Sequence, residues 1–228
     1  MNLIIEPAPL SSADKLKAML DGDSRYDGEL FGWAPTSGRK ISAQTQNQPR
    51  VPLHFMRLST PLGSMLAMAE QRGLVMLEFL DRPILMRELE ELRIRFGYAM
   101  TPGNNPHLEQ IEDELARYFA GTLTRFEVAL HTPGSVFQNQ VWSALRQVPY
   151  GTTCTYGQIA ILLGKPGASR AVGLANGSNR MSIVLPCHRV IGADGSLTGY
   201  GGGKPRKEFL LRLERVAIQM ADQQHLAF

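Results

Sequence analysis

Residues 53–79 read LHFMRLSTPLGSMLAMAEQRGLVMLEF. Three short apolar segments lie in this stretch: Leu53–Ser59, Ser64–Ala69 and Leu74–Phe79. Pro61-Leu62-Gly63 and Gln71-Arg72-Gly73 separate them. Turn residues between β-prone runs predict a three-stranded antiparallel meander. A helix follows, with Asp81 just ahead of it, Pro83 in its first turn and Gly97 at its end. Leu85, Leu89, Leu92 and Phe96 recur there at helical spacing. A second helix is expected from about Pro106 to Ala120, with Leu108, Ile111, Leu115 and Phe119 on one side. An antiparallel sheet followed by helices is an α+β arrangement. This first unit shows no evident chemistry, and its apolar stripes read as core.

After Thr132-Pro133-Gly134 the pattern is helical. Phe137, Val141, Leu145 and Val148 mark one helix, and Tyr156–Leu163 a short second one. Gly164-Lys165-Pro166-Gly167 then leads into a small-residue helix from Ala168 to about Asn176. Two short helices joined by a glycine-containing turn are a helix-turn-helix candidate, and equally an ordinary helical hairpin. The last helix starts near Pro205. It is expected to bury Phe209, Leu210, Leu213 and Val216, and it carries Glu214, which by type is a solvated charge.

Ser182–Gly192, SIVLPCHRVIG, holds the chemistry. Two β-prone runs flank Pro186-Cys187-His188-Arg189, so Cys187 is expected where a strand ends or bends. An imidazole beside a thiol lowers its pKa or takes its proton, which makes Cys187 a candidate nucleophile. The alternative is a buried, inert cysteine. Gly199-Tyr200-Gly201-Gly202-Gly203 reads either as a loop admitting a ligand to the backbone, with Tyr200 as a stacking face, or as a tight surface turn.

The chain has 228 residues, enough for one or two domains with a proper core. Hydrophobic residues make up 43% and charged residues 20%, a folded rather than disordered balance. The formal charge of +3 is unevenly spread. From Val136 onward 10 Lys/Arg face 4 Asp/Glu, a net of +6, and residues 1–135 hold 14 against 17, a net of −3. The basic half suits an anionic partner. Two cysteines, Cys154 and Cys187, exclude a disulfide-rich secreted fold and a cysteine-rich zinc site. His54, His107, His131, His188 and His225 lack metal-ligand spacing, so no metal is expected. There is no Walker pattern and no strand–GxGxxG–helix context, so no nucleotide cofactor is expected either. MNLIIEPAPL lacks the basic region of a signal peptide. No apolar run approaches the ~20 residues of a membrane span. A cytoplasmic setting, with free thiols, Cys154 in the core and no membrane partner, is the expectation.

PCHRV at 186–190 resembles the active-site signature of the O6-alkylguanine-DNA alkyltransferases, also called methylated-DNA–protein-cysteine methyltransferases. VFQNQVWSALRQVPYGTTCTYGQIA, GASRAVGLANGSN, GSLTGYGGG and RKEFLLRLE follow the family's order and spacing. The resemblance covers about residues 53–216. It implies an N-terminal extension at 1–52, a ribonuclease H-like unit at 53–135 built on the three-stranded antiparallel sheet, and a mostly helical, winged helix-turn-helix-like alkyltransferase unit at 136–228.

The resemblance also implies roles. Cys187 accepts the alkyl group, His188 deprotonates it through a water, and Glu214 orients the imidazole. Asn179 braces the active-site turn. Tyr156 donates to the flipped base, Tyr200 stacks on it, and Gly201 and Val190 border it. Ala168, Ser169, Arg170, Ala171 and Gly173 meet the DNA minor groove, with Arg170 filling the gap in the duplex. The implied reaction is irreversible transfer from O6-alkylguanine, chiefly O6-methylguanine and also O4-methylthymine, by a monomer without cofactor. Three residues depart from the family pattern: Arg180 where proline is frequent, Gly201 where some members carry a hydroxyl, and Arg215 where glycine is common. Altered substrate breadth or rate is the expected consequence. A non-catalytic binder of alkylated DNA, the rival reading, carries tryptophan where this chain has Cys187. A transcriptional regulator would need an effector domain. Residues 24–38, SRYDGELFGWAPTSG, are similar to the opening of the Ada-type metal-binding domain. No cysteine occurs in 1–53, so the expectation is a remnant without zinc, phosphotriester repair or methylation-switched activation. A chance match within a linker is the alternative.

Overall fold

The computed structural model describes residues 50–216. Lys15–Leu20, which reads as a short helix after Ser11 and Ser12, and the Ada-like stretch at 24–38 both lie outside the described residues. In chain order the elements are β1 (Val51–Thr60), β2 (Gly63–Glu70), β3 (Gly73–Phe79), α1 (Leu85–Arg95), β4 (Tyr98–Pro102) and α2 (Pro106–Phe119). Then come α3 (Val136–Arg146), β5 (Cys154–Thr155), α4 (Tyr156–Leu162), α5 (Ser169–Gly177), a 3₁₀ turn (Cys187–Arg189), β6 (Val190–Ile191) and α6 (Lys204–Leu213).

The meander forms as its turns predict, with β1 antiparallel to β2 and β2 to β3. A fourth strand joins it: β4 runs parallel to β1, giving the order β3-β2-β1-β4. Its five residues, YAMTP, are too few to show a period of two, so only pairing reveals the strand. Side chains alternate between the two faces of β2. Leu66 and Met68 meet Leu85, Leu89 and Leu92 of α1, whereas Met65 and Ala67 face the core shared with α2 and the second unit. Burial on both faces is why β2 and β3 are almost uninterruptedly apolar.

The helices start where local chemistry satisfies their free N–H groups. The Asn105 side chain accepts from His107 N at 2.9 Å, with Pro106 in the first turn. Ser135–Gln138 and Thr155–Gln158 close reciprocal capping boxes on α3 and α4. α1 differs from expectation. It begins beyond Pro83, and Asp81 binds Arg206 of α6 at 2.8 and 2.9 Å instead of capping it.

Two further expectations are corrected. The run Ser182–Leu185 is not a strand. Only Met181 bridges Leu77, and the chain then turns, because Ile183 adopts φ +74°. Phe209 is 42% exposed, and Leu211 takes its inward place beside Leu210.

The outer edge of β3 is where the two units meet. Leu77 N donates to Arg180 O and Ser182 N to Leu77 O, both at 2.8 Å. Further along the same edge, Leu74 N donates to Ala129 O at 2.8 Å. Both segments cover an edge that would otherwise expose unpaired backbone groups. Gly73 permits this approach: its φ is +148°, and a Cβ there would lie 2.5 Å from the Ala129 carbonyl oxygen. Gly73→Ala is therefore expected to cost ~1–3 kcal/mol of unfolding free energy in urea. Gly121→Ala, at φ +74° but with nothing within 4 Å, should cost only about 1 kcal/mol. Equal losses would remove the close approach as the cause.

Candidate active site

The site grows from one side-chain amide. Asn179 follows α5 and is buried. Its Oδ1 accepts from Met181 N at 2.9 Å, and its Nδ2 donates to Leu185 O at 3.0 Å and to Cys187 Sγ at 3.1 Å. One side chain thus spans the whole turn. The turn needs that brace, because a β-branched residue at positive φ costs on the order of 1–3 kcal/mol. Pro186 then leads into the 3₁₀ turn that carries Cys187 and His188.

Cys187 is 6% exposed. Burial pushes its thiol up to about 11, against the opposing Asn179 hydrogen bond. The neighbouring imidazole has not made it a resting thiolate. The Sγ hydrogen bond goes to Asn179, and among the described residues His188 Nδ1 has no hydrogen-bond partner.

His188 is fully buried, and its Nε2 lies 2.8 Å from Glu214 Oε1. Burial pushes the imidazole below its ordinary value, and Glu214 opposes this only in part. A neutral ring donating from Nε2 leaves Nδ1 as the open acceptor. Glu214 itself is the C-cap of α6 and 1% exposed. Burial works against its charge, yet hydrogen bonds from His188 and Arg189 hold the carboxyl down at about 2. Arg189 reaches it through Nε at 2.8 Å and Nη2 at 2.9 Å, and Tyr118 Oη donates at 2.7 Å. Glu214 is therefore not the solvated charge that its residue type alone suggests: it caps the end of α6 and is almost wholly buried.

Tyr200 stands edge-on to His188, ring centroids 6.4 Å apart, with its hydroxyl buried. Tyr156 Oη lies 3.0 Å from Thr198 Oγ1, under α5, where a Cβ on Gly173 would be 3.8 Å from the Tyr156 ring. Val190 is buried, and its carbonyl accepts from Lys207 Nζ at 2.5 Å. Gly201 is exposed at the rim. The structure therefore gathers Cys187, His188, Glu214, Asn179, Tyr200 and Val190 around one buried centre, with Tyr156 held by Thr198 beside α5. Arg170 and Ala171 are exposed on α5, whereas Ala168, Ser169 and Gly173 are half-buried. Cys154 is only half-buried and pairs with Val190 through β5 and β6.

Sequence reading missed three polar residues. Tyr118 lies three residues after Leu115 on the buried face of α2, and that spacing was the available signal. Arg189 lies inside PCHRV. Lys207 is fully buried and holds the Val190 and Thr198 carbonyls, at 2.5 and 3.2 Å. Burial pushes its ammonium down to about 8. Two departures from the family pattern gain structural reasons. Arg180 donates to Pro133 O at 3.0 Å and pairs with Glu91. Arg215 adopts φ +59°, a conformation that favours glycine.

Among the described residues no helix is long and apolar enough to cross a membrane, and no cluster of metal-ligating side chains occurs. Residues 53–132 match the family model described as 6-O-methylguanine DNA methyltransferase, ribonuclease-like domain. Residues 136–216 match the one described as its DNA binding domain. The chain is 61% identical over 103 residues to a methylated-DNA–protein-cysteine methyltransferase of Mycolicibacterium paratuberculosis, covering 45% of this chain and 62% of that one. The protein of the same name from Methanosarcina acetivorans is 41% identical over 71% of this chain and 98% of its own length. The crystal structure of Mycobacterium tuberculosis OGT in complex with DNA is 42% identical, with a TM-score of 0.61, covering 71% of this chain and 93% of that one.

Glu214 yields a pH test. Its folded pKa is depressed, so the stabilisation is present above the ordinary carboxylate range and is lost as pH falls through about 2. Glu214→Gln is expected to cost about 3–5 kcal/mol at pH 7, because Arg189 loses its counter-charge. The gap to wild type should narrow as pH approaches 2. A gap independent of pH would mean that the carboxylate is not ionised in the native protein.

Proposed function

The chain belongs to the 6-O-methylguanine DNA methyltransferase family, and on that premise we propose that it repairs DNA by direct reversal, moving the alkyl group from O6 of guanine onto Cys187. The substrate is duplex DNA bearing O6-alkylguanine, chiefly O6-methylguanine, with O4-methylthymine as the pyrimidine counterpart. The protein acts as a monomer. Residues 53–135 serve as scaffold, 136–228 carry DNA binding and chemistry, and 1–52 form an extension. The observation that supports this best is a single turn. It holds Cys187 Sγ on the Asn179 amide at 3.1 Å, while His188, next in sequence, is hydrogen-bonded to an ionised glutamate at 2.8 Å.

An alkyl group on O6 lies inside the base stack, so the nucleotide must first swing out, at a cost of a few kcal/mol. The small residues Ala168, Ser169, Ala171 and Gly173 let α5 approach the minor groove, and Arg170 fills the space left in the duplex. Tyr200 stacks on the extruded base, and the backbone at Val190 and Gly201 borders it. The thiol proton passes through one water to His188 Nδ1, and Glu214 balances the imidazolium that forms. Because the resting thiol is pushed up to about 11, deprotonation accompanies attack rather than preceding it. Sγ displaces guanine in line at the alkyl carbon: the S–C bond forms, the C–O bond breaks, and its electron pair stays with the base. Tyr156 donates to N3 as that charge develops, and protonation restores guanine. A thioether resists hydrolysis, so each molecule reacts once.

A duplex carrying labelled O6-methylguanine tests this. Label should appear on the Cys187 peptide at no more than one equivalent, with none in Cys187→Ala. Binding without label overturns the reading in favour of a binder of alkylated DNA. Arg170→Ala should slow transfer from the duplex roughly tenfold, equivalent to ~1.4 kcal/mol, and leave transfer from free O6-benzylguanine unchanged. Equal losses on both would exclude the gap-filling role.

A further inference from the structure

Arg82 lies between β3 and α1, in the first unit, yet its guanidinium ends inside the second. The side chain is 3% exposed. Its Nη1 donates to Asn179 O at 3.0 Å and its Nη2 to Gly177 O at 2.9 Å. Nη1 also pairs with Glu78, and Glu88 lies 3.6 Å from Nη2. Glu78 is fully buried, and its Oε1 accepts from Ser182 Oγ at 2.9 Å. A Cβ on Gly201 would lie 3.0 Å from Arg82 Cζ. Arg82 and its partner Glu78 therefore touch the exit of α5, the strained turn and the glycine loop at once. Neither residue carries any role in the reaction derived above.

A buried charge is retained at a desolvation cost, and it persists only where its partners are well placed. Arginine suits this position because its planar fork donates in several fixed directions, whereas a lysine ammonium is a point charge on a flexible stem. Asn179 O and Asn179 Nδ2 belong to one residue, so an arginine that fixes the carbonyl also limits where the amide can point.

We propose that Arg82 is a positioning residue for alkyl transfer, holding the Asn179 amide against the Cys187 sulfur and supporting the Gly201 loop from below. The first unit thereby supplies part of the geometry in which the second reacts. This rests on the reading of Cys187 as the alkyl acceptor. Burial is the largest influence on the thiol and raises it; the Asn179 hydrogen bond lowers it, Glu78 raises it, and Arg82 and Lys207 lower it. Tyr200 also faces the thiol, which in turn raises the Tyr200 hydroxyl.

The full chain is compared with Arg82→Lys and Arg82→Ala in three measurements. These are transfer from free O6-benzylguanine, transfer from an O6-methylguanine duplex, and the pH midpoint of Cys187 alkylation by iodoacetamide. Arg82→Lys should melt cooperatively and transfer ~10-fold more slowly from both substrates, with the midpoint moved to higher pH. Arg82→Ala should go further, and if it fails to fold, Arg82→Lys decides alone. Wild-type rates and midpoint in Arg82→Lys overturn the proposal. So does a loss confined to the duplex, which marks a DNA contact. Slower transfer with an unmoved midpoint marks a merely structural role and also overturns it. If the wild-type chain transfers from neither substrate, the repair reading fails, and the iodoacetamide midpoint still decides Arg82.

Discussion

The Glu214 carboxylate is the interaction on which the second unit is organised. It is ionised and almost wholly out of water, a state that is costly unless donors replace the lost solvent. Those donors come from three places in the chain. Tyr118 comes from α2, and His188 and Arg189 come from the 3₁₀ turn. Gly151 N, ahead of β5, approaches at 3.4 Å. Satisfying one charge therefore fixes the end of α6 against the active-site turn, and fixes both against the first unit. It also fixes the tautomer of His188, because a donor at Nε2 leaves the acceptor at Nδ1.

The first unit is more than a platform. The edge of β3 accepts backbone from residues 180–182 and so sets the height at which the turn begins. Arg82 and Glu78 enter the same region from the side. Asn179 then links this docked segment to the sulfur. A buried thiol pushed upward by its surroundings, a neutral imidazole pushed downward and a carboxylate held ionised form a graded series across one small volume. Environments that drive pKa values apart are how a protein assigns proton donor and acceptor. Here the gradient comes from burial, because the sulfur and the ring share a dry interior while the carboxylate collects the donors.

The meander and the two helices of the first unit were legible because their signals are local. Turn residues and apolar periodicity both act within a few positions. β4 was not legible, since its pairing with β1 is long-range and its own pattern too short. Ile183-Val184-Leu185 misled for a related reason. Its β-propensity is real, but the braced turn that needs Ile183 at positive φ is imposed by Asn179 and the edge of β3. Phe209 and Leu211 exchanged places because helical spacing identifies a stripe but leaves its phase uncertain by one residue.

The sequence by itself determined the order of units, the basic second half, and the family to which PCHRV and its companion motifs point. It also set a cysteine beside a histidine, a candidate nucleophile whose alternative was a buried, inert thiol. Only the tertiary structure decided how those groups act. It made Glu214 a buried, ionised anchor rather than a surface charge, kept Cys187 a thiol at rest, and brought Tyr118, Lys207 and Arg82 to the site. The physical reason is that ionisation and hydrogen-bond direction depend on burial and on partners distant in sequence, and neither is written in the local order of residues.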